Sequence, residues 1–167
     1  MNKTVSYIIF GLILILLQQI IFNNINLFGY INPLMYILFI IYYPIKNNRI
    51  LFIFMSFCLG LTVDIFSDTL GLHSASCLVL AYLRPIILKI SFGLAYIHQV
   101  IKFQNIGFRN RLIYLTLSTI THNFVIFSLE IFSLTNFTYL LQKVLLTALF
   151  TVFLGLIFSY LFKPTNK

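Results

Sequence analysis

The stretch GLTVDIFSDTLGLH, residues 60–73, puts a carboxylate deep inside an apolar segment. Asp64 interrupts an uncharged run that begins at Ile50, and Asp68 follows one helical turn later, in a chain with only three acidic residues. Gly60, Asp64 and Asp68 are spaced i, i+4, i+8, so they share one face of any helix that continues that far. About fifteen residues along such a helix, Asp64 stands about 22 Å up its axis. That is the outer third of a hydrocarbon layer about 30 Å thick. An Asp at mid-membrane costs roughly 2.5–3.5 kcal/mol to insert, and less off-centre. Its side chain is therefore expected to face the protein interior and find a partner there. The candidates are His73, His122 and the backbone amides that start the next helix. Two roles stay open for Asp64: a site carboxylate, or a tie that hydrogen-bonds one helix to the next.

The bilayer is implied by composition. Hydrophobic residues make up 60% of the chain, charged residues 8%, and mean hydropathy is +1.01. Soluble domains carry about 25% charged residues. A domain of roughly 150 residues leaves about 30% of its unfolded-chain surface in water, which this composition cannot clothe. The net charge of +8 would suggest nucleic acid in a soluble protein. Here the basic residues lie between apolar runs and no aromatic-and-basic interleaving reads single strands, so no nucleic-acid partner is expected.

Six apolar segments stand out, at about 5–22, 32–45, 50–66, 70–88, 112–132 and 139–162. They predict an all-α integral membrane protein with six transmembrane helices in one domain. Lys3 precedes the first segment, but no small-x-small cleavage pattern follows, so it is expected to stay as a span. The second is the shortest; its fourteen residues reach only about 21 Å as a helix. Asn32-Pro33 is expected to cap its start, and Pro44 lies near its end. Arg84-Pro85 is expected to kink or stop the fourth helix, leaving Pro85–Lys102 as an interfacial segment within a basic loop at about 89–110. A longer kinked span followed by a solvated loop is the alternative.

Lys and Arg divide ten to one between the two sides. Lys3, Lys46, Arg49, Arg84, Lys89, Lys102, Arg109, Arg111, Lys163 and Lys167 fall on one side; Lys143 alone falls on the other. All three acids, Asp64, Asp68 and Glu130, lie toward the side poor in basic residues. The asymmetry predicts both termini in the cytoplasm.

Each polar residue has a structural explanation beside any functional one. Asp68, in SDTLG, reads as a turn residue and N-cap of the fourth helix. Gly60 and Gly71 read as points of close helix approach. His122 and Asn123 fall near mid-bilayer, and His122, Ile126 and Glu130 form one stripe that would glue helices. Asp64, Asp68, His73, His122 and Glu130 are possible metal ligands, yet no pair has a recognised ligand spacing, and no metal or cofactor is expected. Cys58 and Cys77 read as small buried hydrophobes. No nucleophile elbow, phosphate loop or Ser/His/Asp set is present, so no enzyme is expected.

Gly60-x-x-x-Asp64 followed by Gly71 at a helix junction, AYLRPIILKI (81–90) and THNFVIFSLEIFSLTNF (121–137) carry a resemblance. Together with the small size and the six-span layout, they make the chain resemble the rod shape-determining protein MreD family, in its Bacteroidetes-like branch. The resemblance covers nearly the whole chain, and only Gly60, Asp64 and Gly71 carry over by motif. It implies a fold similar to the substrate-binding components of energy-coupling-factor transporters. It implies a non-enzymatic scaffold of the cell-elongation machinery in the bacterial inner membrane, acting in cell shape and peptidoglycan synthesis. The implied partners are MreC, RodA with its penicillin-binding transpeptidase, and the MreB cytoskeleton. The basic loop, with Arg84, Lys89, Lys102, Arg109 and Arg111, is expected to meet MreB or anionic lipid. The competing expectation is a vitamin-type substrate-binding component, with a pocket lined by Asp64, His73, His122 and Glu130.

Overall fold

In lipid no water is available to hydrogen-bond an open backbone, so long uncharged runs close their bonds within themselves as helices. A computed structural model describes residues 3–25, 31–45, 48–93, 107–131 and 137–161. It contains α1 (Lys3–Ile20), a 3-10 turn at Phe22–Asn24, α2 (Ile37–Tyr42), α3 (Arg49–Ser67), α4 (Leu72–Phe92), α5 (Phe108–Ile131) and α6 (Phe137–Leu161). The described residues form an all-helical protein in which five helices are long and apolar enough to cross a membrane. This is a multi-pass membrane protein. Its outer faces agree: Ile8, Leu12 and Leu16 on α1, and Leu145, Leu149 and Phe153 on α6, are large, apolar and exposed. Such surface is costly in water and matched to acyl chains.

α3, α4, α5 and α6 pack in series, each on the next. α1 lies against α3, and the two end side by side. Gln19 Nε2 donates to Ser67 Oγ at 3.0 Å, and Asn23 Nδ2 donates to the same oxygen at 3.2 Å.

The second apolar segment departs from the expected span. Its α-helix has only six residues, and the residue at its N-cap position is Tyr36, not Asn32, with no side-chain cap. Among the described residues it is the most deeply buried stretch: Ile31, Tyr36, Ile37, Leu38 and Ile40 are wholly inaccessible. Irregular backbone at membrane depth is tolerated only inside protein, and its polar groups must be met by side chains. That is what happens here. Gln18 on α1 straddles the chain: its Nε2 donates to the Pro33 carbonyl at 3.1 Å, and its Oε1 accepts the Met35 N–H at 2.7 Å. The Leu34 N–H donates to Thr151 Oγ1 on α6 at 3.1 Å. At the other end of α2, Arg84 on α4 donates to the carbonyls of Ile41 (3.1 Å) and Tyr43, and the Tyr114 hydroxyl on α5 donates to Ile41 at 3.2 Å.

Three further expectations are corrected. α4 does not stop at Arg84; it runs through Pro85 to Phe92. The expected break rested on Pro85 alone, whereas Arg84, Ile87, Leu88, Ser91 and Phe92 are all buried by packing that holds the helix past it. Arg84 is accordingly no loop residue: it is 4% exposed, with its guanidinium 4.8 Å from the Phe52 ring centroid. Lys89 lies on α4, and Arg109 and Arg111 lie in the first turn of α5. Lys102 and the rest of 94–106 lie outside the described residues. Asp68 does not cap α4; it is the left-handed C-cap of α3, with φ 54°.

Candidate functional site

The α3–α4 turn is built from four residues and one carboxylate. Asp68 (φ 54°), Leu70 (φ 47°) and Gly71 (φ 96°) all take left-handed conformations, which reverse the chain between the helices. Gly71 occupies the N-cap position of α4, where glycine has no side chain to offer. The first amides of a helix still require acceptors. Asp64, still on α3, supplies them: Oδ1 accepts the His73 N–H at 2.9 Å, and Oδ2 accepts the Ser74 N–H at 2.8 Å. These are the second and third amides of the helix, the pair an N-cap side chain ordinarily serves. A carboxylate there also opposes the positive end of the helix dipole. Thr69 Oγ1 donates to Oδ1 at 2.6 Å, and Asp64 is 5% exposed.

Gly60 sets the distance that makes this reach possible. A Cβ at Gly60 would lie 2.5 Å from Ser74 Cα and 2.7 Å from the His73 carbonyl oxygen. α3 and α4 therefore touch backbone to backbone one turn below Asp64. Of the three partners considered for Asp64, the amides are the ones its oxygens find.

Below the turn a buried polar chain crosses the bundle. The Tyr36 hydroxyl, carried by the broken segment, lies 2.6 Å from His73 Nδ1 on α4 and 3.1 Å from His122 Nε2 on α5. Cys77 Sγ is 3.9 Å from the same nitrogen of His122. A hydroxyl has one proton, so at least one of the two imidazoles must donate to it. His122 Nδ1 is buried without a partner among the described residues. Asn123, with its amide turned to satisfy both ends, donates to the Thr119 carbonyl at 3.3 Å and accepts from the Ala148 N–H at 3.1 Å, joining α5 to α6.

Beside the turn opens a cavity of about 590 Å³. Its walls come from Asn23, Asn32 and Leu34, from Ser67–Leu70, from Leu72 and His73, from the end of α5 and from Lys143 on α6. Asp68, His73 and Glu130 line it; Asp64 and His122 do not. The pocket expected for a substrate-binding component is thus formed from half of the expected residues, because Asp64 is turned into the α4 amides and His122 is sealed beneath Tyr36. Glu130 ends the stripe that begins at His122 and Ile126, but it faces outward. Both of its oxygens accept from Lys143 Nζ at 2.8 Å, and that ammonium also stands 4.6 Å from the Phe127 ring centroid.

Among the described residues, no set of three His, Cys, Asp or Glu side chains is placed to hold a metal ion. Cys58 and Cys77 are free thiols, half-buried and buried respectively. Sequence reasoning missed Gln18, Tyr36 and Tyr114, and it misplaced Arg84. An arginine bracketed by AYL and PIIL is an ionisable residue inside an apolar run, and that signal was available. Gln18 and Tyr36 carry no comparable local mark. Comparison with family models, curated proteins and solved structures finds no match to this chain.

Proposed function

We propose that this chain is a non-enzymatic scaffold subunit of the bacterial cell-elongation machinery, seated in the inner membrane with both termini in the cytoplasm. In this reading it has six membrane crossings, the second made by the broken segment around α2. It acts in cell shape and peptidoglycan synthesis with MreC, RodA and its penicillin-binding transpeptidase, and the MreB cytoskeleton.

One observation carries the reading. Gly60, Asp64 and Gly71, the residues on which the resemblance to the MreD family rests, meet in a single joint. The joint's product is a fixed shape at the end of the bundle. The polar groups buried around it bond mainly to one another and to backbone, which suits a rigid surface presented to partners. The orientation is supported by the Lys and Arg residues other than the buried Arg84, which divide nine to one and favour that end as the external one.

The test is a mild-detergent pull-down of the tagged chain from its native membrane, with mass spectrometry of proteins and small molecules. Recovery of MreC and the elongation synthases is expected. Recovery of a transporter energising module with a bound metabolite would overturn the scaffold. That second reading, a small-molecule binding component, is favoured by the cavity beside the turn, whose volume is within the roughly 300–1,000 Å³ of ligand pockets. Reporter fusions at either end check the orientation; reporter activity outside the cytoplasm at the C-terminal end would refute it.

A further inference from the structure

The charge around the cavity opposes the charge of the chain. The protein carries +8 overall. Yet all three of its acids collect at this end: Asp68 and Glu130 line the cavity, and Asp64 bonds Thr69 and His73, which also line it. Among the described residues Lys143 is the one lysine or arginine in the lining, and Glu130 holds it with both oxygens. Asp68 is left over. Its side chain is exposed and has no hydrogen-bond or ion-pair partner among the described residues. Next to it Leu70 is fully exposed, held there by a left-handed backbone that a leucine rarely adopts. Part of the lining is apolar, from Leu34, Ile126 and Phe127.

We propose that this cavity receives a primary ammonium group on an apolar stem, with Asp68 as its counter-ion and the apolar part of the lining against the stem. An anion is disfavoured because the one lysine is already neutralised. An inorganic cation is disfavoured because no three His, Cys, Asp or Glu side chains converge among the described residues. An alkylammonium satisfies both surfaces at once, through a charge-assisted hydrogen bond and buried methylenes. Two sources present this group: a free alkylamine, and a lysine side chain on the external segment of a partner. The second source rests on the scaffold reading; the ammonium site itself does not.

The experiment uses the full chain in detergent and saturation-transfer NMR with two probes, Nα-acetyl-lysine methylamide and Nα-acetyl-norleucine methylamide, which differ in the ammonium. Saturable transfer to the lysine methylenes is expected, with none from norleucine. Asp68→Asn should weaken the lysine probe about tenfold, the scale of one lost charge-assisted bond. Asn tolerates the left-handed backbone, and Asp68→Gly serves as a second variant that also tolerates it. Equal binding of both probes, or lysine binding unchanged in both variants, overturns the proposal. The sources separate in the pull-down. Lower partner recovery with Asp68→Asn assigns the ammonium to a partner lysine. Unchanged recovery with a co-purifying amine that Asp68→Asn removes assigns it to a free ligand. If MreC is never recovered but the lysine probe binds, the scaffold fails and the site stands.

Discussion

Asp64 and Ser74 belong to different helices, yet the Oδ2 of one accepts the backbone N–H of the other at 2.8 Å, and the adjacent oxygen takes the His73 amide. The start of α4 is therefore capped from α3. Replacing Asp64 with Asn keeps the shape and loses one acceptor, setting an amide NH2 against a backbone N–H. A buried donor left without a partner costs about 1–3 kcal/mol, with more at stake where the acceptor was charged. Asp64→Asn is expected to lower the thermal midpoint of the detergent-solubilised chain, and Asp64→Ala to lower it further, since both amides then lack an acceptor. An Asp64→Ala protein that melts with the parent would show that the carboxylate does not hold the turn.

Gly60 and Gly11 separate close approach from mere smallness. At Gly60 the obstacle is backbone, with Ser74 Cα 2.5 Å from the site of a new Cβ. At Gly11 it is the Phe39 ring at 3.2 Å, which a small rotation relieves. Gly60→Ala must push α3 off α4, stretching the Asp64 bonds, at a cost of about 1–3 kcal/mol or more. Gly11→Ala should be near neutral. Paired melting curves of the two variants check this; equal shifts would mean that the α3–α4 contact yields more easily than its geometry implies.

The five long helices were legible because a bilayer demands internal backbone bonding and the apolar runs at α1, α3, α4, α5 and α6 are long enough to provide it. The segment around α2 was not. Hydropathy registers that 32–45 is apolar, but it cannot register that Gln18, Arg84 and Thr151 complete its backbone, from as far as 117 residues away. The same limit governed the α3–α4 turn. SDTLG looks like a cap because its own side chains are capping types, while the acting cap is the carboxylate one turn earlier. Asp68 took the left-handed C-cap instead, since the chain had to reverse before Gly71. Pro85 misled for the converse reason: its local cost is real, and packing around Arg84 and Ile87 outweighs it.

The carbonyls held by Arg84 define the next expectation. Ile41 and Tyr43 end α2, where carbonyls lose their helical partners and the dipole favours a cation. Nε of Arg84 donates to the Tyr114 hydroxyl at 2.9 Å while the same guanidinium reaches both carbonyls. Lysine is a point donor without this fork. Arg84→Met should leave the Tyr43 carbonyl without its donor in an apolar interior and the Ile41 carbonyl with the Tyr114 hydroxyl alone. Hydrogen–deuterium exchange is expected to rise in the 34–45 peptide, with a smaller rise for Arg84→Lys. Thr151→Val, which removes the acceptor of Leu34 N–H and, within α6, the hydroxyl's own bond to the Thr147 carbonyl, should raise exchange at the start of that peptide and leave its end protected. Uniform exchange in all three variants would mean that the segment is held by apolar packing alone.

Tyr36 joins the broken segment to the helices on either side through one oxygen, 2.6 Å from His73 and 3.1 Å from His122. Its ring also meets both imidazoles edge-on, at 5.4 Å between centroids in each case. Tyr36→Phe keeps the ring packing and removes the bridge, leaving two buried imidazole nitrogens without the hydroxyl. The expected loss is about 1–3 kcal/mol. A double-mutant cycle with His122→Leu isolates the bridge from the packing. Groups within one hydrogen-bond network couple by about 0.5–3 kcal/mol, whereas independent sites add to within about 0.3–0.5 kcal/mol. Coupling in the first range is expected, because removing His122 takes away one of the two groups that Tyr36→Phe strands. Simple additivity would show that the hydroxyl serves His73 alone and that His122 is held by its packing against Tyr36.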